Sequence, residues 1–312
     1  MKISLYPALS IHEIGQRSNQ EDSIAQWDNR LFVLCDGMGG HEKGEIASQV
    51  ICQSLVRWFE GNIKGIFFTD DQLREAIEFA YTELDKYDDG SPRKMGTTLT
   101  LIYFHAQGIT AAHIGDSRIY HIRPSKHNEG ILYQSRDHSL VFDLFQAGEI
   151  SYDEMATFQQ KNIVTRAMTP GEDNRMRADI IHITDVQLGD YFYLCSDGML
   201  EQMSNAEILS LFASDTTDEE KQRRLIEATI NNKDNHTAWL IHIMNVVKEG
   251  GDEDLYNEEP SSRCNAINII PKVIEANVDD VVIVQEAKKA KTFLQKMKGI
   301  VDFFLNSKKH NV

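Results

Sequence analysis

The chain has 312 residues, enough for one large domain with additional material or for two domains, and 41% of them are hydrophobic and 26% charged, as in ordinary globular proteins. The formal net charge of -16 argues against a nucleic-acid partner, because an acidic surface is repelled by phosphate backbones. The four cysteines form no Cys-x-x-Cys pair, so we expect neither a disulfide framework nor a zinc ribbon.

The beginning of the chain, MKISLYPALSIHEIG, lacks the long apolar stretch and the small-residue cleavage site of a signal peptide. Nowhere does an uninterrupted apolar run approach the roughly 20 residues that a membrane-spanning helix needs. We therefore expect a cytoplasmic protein with reduced thiols and no transmembrane segment.

Up to about residue 247 the sequence pattern mixes strands and helices. Strands are predicted at LFVLC (31–35), TTLTLIYF (97–104), ITAAHI (109–114), RIYHI (118–122) and DYFYLC (190–195). Several of them are too close together for helical crossovers, and GITAAHIGDSRIYHIR in particular is predicted to be a hairpin, so the sheets should be largely antiparallel.

Helical spacing of apolar residues predicts helices over 46–59 and 73–84, the second with Asp70 and Asp71 as caps. Helices that cover antiparallel sheets, without regular βαβ alternation, indicate a layered sandwich and exclude a Rossmann domain.

Two segments share one construction, in which a buried apolar strand ends in an aspartate that a glycine follows. They are LFVLC with Asp36 and Gly37, and YFYLC-Ser with Asp197 and Gly198. The end of a strand holds a carboxylate rigidly, and glycine lets its own carbonyl approach a ligand closely. A lone Asp-Gly pair is usually a turn, but a repeated construction indicates a site.

Further acidic residues occupy similar positions. Asp116 lies at the turn of the predicted hairpin, Asp234 precedes the last apolar strand, and Arg17 is followed by Glu21 and Asp22. Carboxylate oxygens without paired histidine or cysteine suit Mg²⁺ or Mn²⁺ and not zinc. Two such ions, roughly 3.5–4 Å apart, can activate a water for in-line displacement at phosphorus.

In their order along the chain, these residues resemble the metal-dependent protein phosphatase family, the type 2C serine/threonine phosphatases, in its bacterial form. The resemblance covers roughly residues 8–247, and no single motif carries it alone. The motifs are GQRSNQED (15–22), VLCDGMGGHEKGEIAS (33–48), MGTTLT (95–100), HIGDSRIY (113–120), RDHSL (136–140), CSDGM (195–199) and DNHTA (234–238).

The resemblance implies an α+β fold of two stacked antiparallel β-sheets flanked by α-helices, a four-layer αββα sandwich. It also implies two core Mn²⁺ or Mg²⁺ ions. Asp36 would bridge them, the Gly37 carbonyl would bind one, and Asp197 and Asp234 would bind the other. Asp116, together with Asp197, matches the position of a third and weaker metal.

The same resemblance implies that Arg17 binds the substrate phosphate. It also implies that Glu21 and Asp22 form hydrogen bonds with the water ligands of the ions. Many eukaryotic members have a histidine, a candidate general acid, where this chain has Met38. Methionine cannot donate a proton, and the nearby loop residue His41 is interpreted as structural.

The segment 143–168 corresponds to the mobile flap of the family, but it departs from the commoner version that contains His-Pro. For Thr97 and Thr98, core packing is the favoured interpretation. Asp137, which precedes His138, is interpreted either as a helix cap or as a site residue.

Composition changes after residue 247, and we predict an acidic linker over 248–265 and a C-terminal extension with an amphipathic helix over 266–312. Three interpretations of the apolar stripe of that helix remain open: docking on the catalytic domain, pairing with another chain, or lying on an anionic membrane surface.

We therefore expect a protein phosphatase that hydrolyses phosphoserine and phosphothreonine with metal-activated water, and whose phosphoprotein substrates include a serine/threonine kinase. One alternative is a phosphatase-fold protein that acts on a regulator of a partner switch. Another is a non-catalytic pseudophosphatase scaffold.

Overall fold

The computed structural model describes residues 1–38, 43–91, 94–124, 130–158, 160, 163–172 and 175–248. His41 and residues 249–312, which contain the predicted extension and all but the first residue of the predicted linker, lie outside these residues. The strands are β1 (Lys2–Leu5), β2 (Leu9–Glu13), β3 (Asp22–Trp27), β4 (Leu31–Met38), β5 (Gly96–Thr97), β6 (Leu99–His105), β7 (Gly108–Ile114), β8 (Arg118–Arg123), β9 (Gly130–Gln134), β10 (Asp179–Ile183), β11 (Tyr191–Cys195) and β12 (His236–Val247). The α-helices are α1 (Gly44–Asn62), α2 (Asp70–Asp85), α3 (Leu140–Gln146), α4 (Tyr152–Thr157), α5 (Asn205–Ala213) and α6 (Asp218–Thr229).

The strands named above form two sheets, and within each sheet every pair of neighbouring strands is antiparallel. In the first sheet the order is β1-β12-β11-β8-β9, with β2 also pairing with β12. In the second sheet the order is β10-β7-β6-β4-β3, with β5 also pairing with β4. The predicted pair of antiparallel sheets is confirmed.

Helices cover the outer faces of both sheets, which confirms the four-layer arrangement. The apolar side of α1 and α2 packs on the second sheet, where Leu55 and Ile77 share a buried cluster with Val33 of β4. The apolar side of α5 and α6 packs on the first sheet, where Phe212 shares a cluster with Tyr193. Within the part of the chain that the structure describes, no helix combines the length and the apolar character needed to cross a membrane.

The cap of α2 differs from the prediction. Thr69 is the N-cap, its hydroxyl accepts the backbone N–H of Gln72, and the Gln72 side chain accepts the Thr69 N–H in return. Asp70 and Asp71 instead lie in the first turn, where their charge complements the helix dipole.

A third apolar cluster fills the space between the two sheets and explains why several strands are apolar on both faces. Phe32 and Leu34 of β4 meet Phe192 and Trp239 of the first sheet in this layer. The indole Nε1 of Trp239 donates a hydrogen bond of 3.0 Å to the carbonyl of Val33, so a polar contact also crosses the layer.

The predicted hairpin of β7 and β8 is wrong. β7 pairs with β6 and β10 in the second sheet, whereas β8 pairs with β11 and β9 in the first. The chain passes from one sheet to the other at Gly115, Asp116 and Ser117. Gly115 has φ +104°, and a Cβ there would lie 2.5 Å from the Thr98 side chain, so both conformation and space require glycine.

Candidate metal centre

The predicted aspartates converge at one end of the sandwich, and they reach it from both sheets. Asp36 is the third residue from the end of β4, in the second sheet. Asp197 begins a short 3₁₀ helix directly after β11, and Asp234 lies just before β12, both in the first sheet. Asp116 lies in the crossover between the sheets, and its electrostatic influence, like that of Asp197 and Asp234, reaches the Asp36 carboxyl.

These carboxyl groups raise one another's pKa values. Removal from water raises the pKa of Asp36 well above its ordinary value, and the charges of Asp22 and Asp197 raise it further. Burial and the neighbouring Asp197 raise the pKa of Asp116 to about 7. Burial and Asp234 raise the pKa of Asp197 to about 6, although a hydrogen bond with the Asp36 side chain opposes the rise.

Asp22 adds a buried carboxylate to this group. It lies directly opposite Asp36 across the pairing of β3 and β4, and only 3% of its surface is exposed. One carboxylate oxygen accepts the Ser196 hydroxyl at 2.9 Å, while the buried Oδ1 has no partner in the protein. Burial is the main cause that raises the pKa of Asp22 to about 7.

Such a group fits divalent cations. Its donors are carboxylate oxygens, which Mg²⁺ and Mn²⁺ prefer, and its charges repel one another until a cation neutralises them. The buried Oδ1 of Asp22, left without a protein partner, fits the same conclusion.

Backbone packing fixes the position of Asp36. Its N–H donates to the Thr98 hydroxyl at 2.9 Å, and its carbonyl accepts both the Thr98 N–H and the Thr97 hydroxyl at 2.9 Å. At Gly37 a Cβ would lie 2.3 Å from the carbonyl of Gly44, the first residue of α1, so only glycine fits. Thr97 and Thr98 are completely buried, as core packing predicts, but their hydroxyls also hold the backbone of Asp36.

On the opposite side, Asn235 holds the loops around Asp234 and Glu21. Its side-chain amide donates to the carbonyls of Ile14 and Asn19, each at 2.9 Å, and its oxygen accepts the Glu21 N–H at 2.8 Å. A Cβ on Gly198 would lie 2.0 Å from the Asn235 carbonyl. The sequence motif DNHTA (234–238) contains Asn235, but this role was not predicted from the sequence; the available signal was an asparagine directly before an apolar strand.

Arg17 lies at the rim of the group. Its Nη2 contacts Asp234 Oδ2 at 2.6 Å, and 55% of its side chain is exposed, so the guanidinium is held near the carboxylates and still open to solvent. The pKa of Glu21 is raised by burial and by Glu45, which places this carboxyl too in the acidic surroundings.

Two other sequence interpretations have clear outcomes. Asp137 caps no helix: Ser139 is the N-cap of α3, and the Asp137 carboxylate makes a two-pronged ion pair with Arg118, at 2.7 and 2.6 Å. Met38, half-buried at the end of β4, offers no proton-donating group.

A separate group outside the predicted site consists of His113, His138 and Asp179. Its potential ligand atoms lie within 4.8 Å of one another.

Comparisons with known proteins identify relatives of this chain. Residues 12–240 match the family model of protein phosphatase 2C. The chain is 32% identical to protein phosphatase PhpP of Streptococcus pneumoniae over 250 residues, which cover 77% of this chain and 97% of that protein. The solved serine/threonine phosphatase PstP/Ppp of Mycobacterium tuberculosis superposes with a TM-score of 0.66 at 28% identity, covering 78% of this chain and all of that one. A PstP catalytic domain in complex with two manganese ions matches with a TM-score of 0.64 at 28% identity, covering 77% of this chain and 99% of that one. The chain therefore belongs to the protein phosphatase 2C family, and it is a metal-dependent serine/threonine protein phosphatase.

Proposed function

We propose that this phosphatase hydrolyses phosphoserine and phosphothreonine with two Mn²⁺ or Mg²⁺ ions held by Asp36, the Gly37 carbonyl, Asp197 and Asp234. Asp116, with Asp197, contributes to a third and weaker cation site. The observation that carries the proposal is the convergence of carboxylates from both sheets on one end of the sandwich, where each raises the pKa of its neighbours.

The cations, when bound, supply an activated water and stabilise the oxygens of an in-line displacement at phosphorus. Arg17 binds the substrate phosphate, because a guanidinium matches two phosphate oxygens at once. Its contact with Asp234 orients it before the substrate arrives. Glu21 and Asp22 accept hydrogen bonds and orient water in the cleft.

The leaving serine or threonine oxygen must gain a proton, and Met38 cannot donate one. The proton therefore comes from another group in the cleft. This requirement separates the chain from members that have a histidine at that position.

Neither alternative function is favoured by an observation on this chain. A pseudophosphatase scaffold is expected to lose carboxylates of the centre, yet Asp36, Asp116, Asp197 and Asp234 are all present. A regulator of a partner switch is a substrate that the geometry of the centre does not specify.

For the biological setting, we propose phosphoproteins of the cytoplasm as substrates, among them a serine/threonine kinase. Residues 1–247 form the catalytic domain, 248–265 a linker and 266–312 a regulatory or interaction module. The end of the family match at residue 240 and the end of β12 at Val247 support this division.

The test uses the purified full-length protein with p-nitrophenyl phosphate and with a phosphothreonine peptide. Activity should require Mn²⁺ or Mg²⁺, disappear with a chelator, and fall at least a thousandfold in Asp36→Asn, about 4 kcal/mol of transition-state stabilisation. Asp28→Asn is the matched control, because Asp28 lies in the turn at the other end of β3 and β4 and has φ 52°, a conformation that asparagine accepts. Full activity of Asp36→Asn would contradict the proposed mechanism.

A further inference from the structure

His138 and His113 form a buried pair beside the metal centre. Their surfaces are 3% and 2% exposed, and their rings stack with centroids 4.7 Å apart and planes inclined by 11°. Asp179, at the start of β10, completes the group whose potential ligand atoms lie within 4.8 Å of one another. Such a group raises the question of a separate metal site.

The hydrogen bonds of the two rings argue against a metal there. The Gly115 N–H donates to Nδ1 of His138 at 3.0 Å, so in the neutral ring the proton is on Nε2, which donates to Asp179 Oδ2 at 3.2 Å. Nε2 of His113 donates to the carbonyl of Arg136 at 2.7 Å. Both Nε2 atoms thus carry protons, and Nδ1 of His138 already accepts the Gly115 N–H, so these three nitrogens offer no free lone pair to a cation.

Charge gives the same answer. Nη1 of Arg166 lies 3.4 Å from Nε2 of His138 and 3.2 Å from Asp179 Oδ1, where it would repel a cation. Burial, followed by the influence of His113, lowers the pKa of His138 to about 4, so the ring is neutral at pH 7.

Three parts of the fold meet at His138. Its own N–H donates to the Gly115 carbonyl at 2.9 Å, so its backbone and its ring hold both sides of Gly115. Its carbonyl accepts the Thr165 N–H at 2.9 Å, which joins it to the chain that returns after α4. The bond to Asp179 joins it to β10.

Hydrogen bonds and chain neighbours connect the residues that His138 contacts to the metal centre. Gly115 immediately precedes Asp116, and the next residue, Ser117, shares a hydrogen bond of 2.7 Å with the Thr98 hydroxyl. That hydroxyl accepts the Asp36 N–H. A continuous set of contacts thus connects His138 through the crossover to Asp36.

We propose that His138 is a positioning residue that fixes Asp116 for cation binding through the bond from the Gly115 N–H to its Nδ1. The bond from His138 to Asp179 has a different task, which is to fasten the segment around His138 to β10. The inference rests on the proposed role of Asp116 as a ligand of the weaker cation.

Two substitutions separate the nitrogens of the ring. In His138→Asn the amide oxygen occupies roughly the place of Nδ1 and can accept the Gly115 N–H, but nothing reaches Asp179. In His138→Gln the amide nitrogen occupies roughly the place of Nε2 and can donate to Asp179, but the Gly115 N–H loses its acceptor. We expect the affinity of the weaker site for Mn²⁺ to stay within about threefold of the wild-type value in His138→Asn. In His138→Gln we expect it to fall about tenfold or more, which is typical when a residue that supports a metal ligand is changed.

The experiment is a calorimetric Mn²⁺ titration of the full chain, with hydrogen exchange of the Gly115 amide as a second measurement. Exchange should remain slow in His138→Asn and become fast in His138→Gln, and both variants should retain the affinity for the tighter ions. Asp179→Asn should leave the weaker site unchanged. A purely structural role predicts equal losses in both His138 variants, and that result would overturn the proposal.

Asp116→Asn distinguishes failure of this inference from failure of the proposed function. If it leaves Mn²⁺ stoichiometry unchanged, the proposed role of Asp116 is wrong, while Gly115 exchange in the two His138 variants still tests the contact itself. If the wild-type chain binds a cation that Asp116→Asn retains and His138→Gln and Asp179→Asn both lose, the histidine group is a metal site and the positioning role is refuted.

Discussion

Without divalent cations, the free energy of unfolding should fall as the pH rises from 5 to 8. Asp22, Asp36, Asp116 and Asp197 have raised pKa values in the folded protein, so they keep protons at a pH where the unfolded chain has lost them. The folded state then binds more protons than the unfolded state. The stability that these protons contribute is fully present below the unfolded pKa and is lost as the pH rises through the folded pKa.

The magnitude follows from the values of single carboxyl groups. For Asp22, a rise from 3.8 to about 7 corresponds to about 2–3 kcal/mol less unfolding free energy at pH 8 than at pH 5. For Asp197, with a pKa of about 6, the corresponding loss is about 1–1.5 kcal/mol. Because the carboxyls repel one another, the losses do not simply add. We expect a total on the order of 3 kcal/mol, roughly 6–12 °C in Tm for a domain of this size.

The assay is thermal unfolding of the full chain between pH 5 and pH 8, with chelator and with Mn²⁺. Mn²⁺ should raise Tm more at pH 8 than at pH 5, because the cation competes with protons for the same oxygens. Subtracting the Tm measured with chelator from the Tm measured with Mn²⁺ at each pH removes the contribution of titrating groups that do not contact the ions. Asp36→Asn should reduce both the pH dependence and the Mn²⁺ effect, and Asp28→Asn should leave both unchanged.

A metal-free protein that becomes more stable between pH 5 and pH 8 would refute this reasoning. So would an increase in Tm with Mn²⁺ that has the same size at every pH, because proton competition at the centre would then be absent.

Three further predictions concern single residues around the centre. Arg17→Lys should raise KM about tenfold with little change in kcat, because lysine keeps the positive charge but lacks the planar guanidinium that binds two phosphate oxygens. The control is Arg30→Lys, in the turn before β4, which should leave the steady-state kinetics unchanged. Gly37→Ala should weaken Mn²⁺ binding more than tenfold in a calorimetric titration, because the added Cβ would lie 2.3 Å from a backbone oxygen of α1. The control is Gly61→Ala, whose added Cβ would have no other atom within 4 Å, so that this variant should bind Mn²⁺ normally. Thr98→Val should cost about 1–3 kcal/mol in urea-induced unfolding, because it leaves a buried strand N–H without an acceptor; wild-type stability would contradict the role given to that hydroxyl.

Much of the fold could be predicted because the apolar patterns are local and strong. The strands that contain Phe32 and Phe192 are apolar on both faces, since one face meets the inter-sheet layer and the other meets a helix layer. The failed hairpin shows where such reasoning ends. The apolar composition of β7 and β8 identifies them as strands, but the choice of partner strand depends on residues far away in sequence. A three-residue connection fits a crossover as well as a turn.

The aspartates that the structure brings together could be predicted because each one lies at the end of a strand or next to one in a recognisable pattern. The residues that hold them could not. Asn235 acts through the backbone of Ile14, 221 positions earlier in the chain, and His138 acts through the backbone of Gly115. Contacts of this kind depend on the folded geometry, because the pattern around such a residue does not reveal which distant backbone group it reaches.

The origin of the carboxylates in two different sheets has a mechanical consequence. Asp36 moves with one sheet and Asp197 with the other, while the layer around Trp239 is the surface on which the sheets would slide. Cations bound between the two sheets would resist that shear, so metal loading and the alignment of the layers would be one coupled property. We therefore expect substitutions in this layer, far from the acidic centre itself, to change the spacing between Asp36 and Asp197 and so to lower the metal affinity before they unfold the protein.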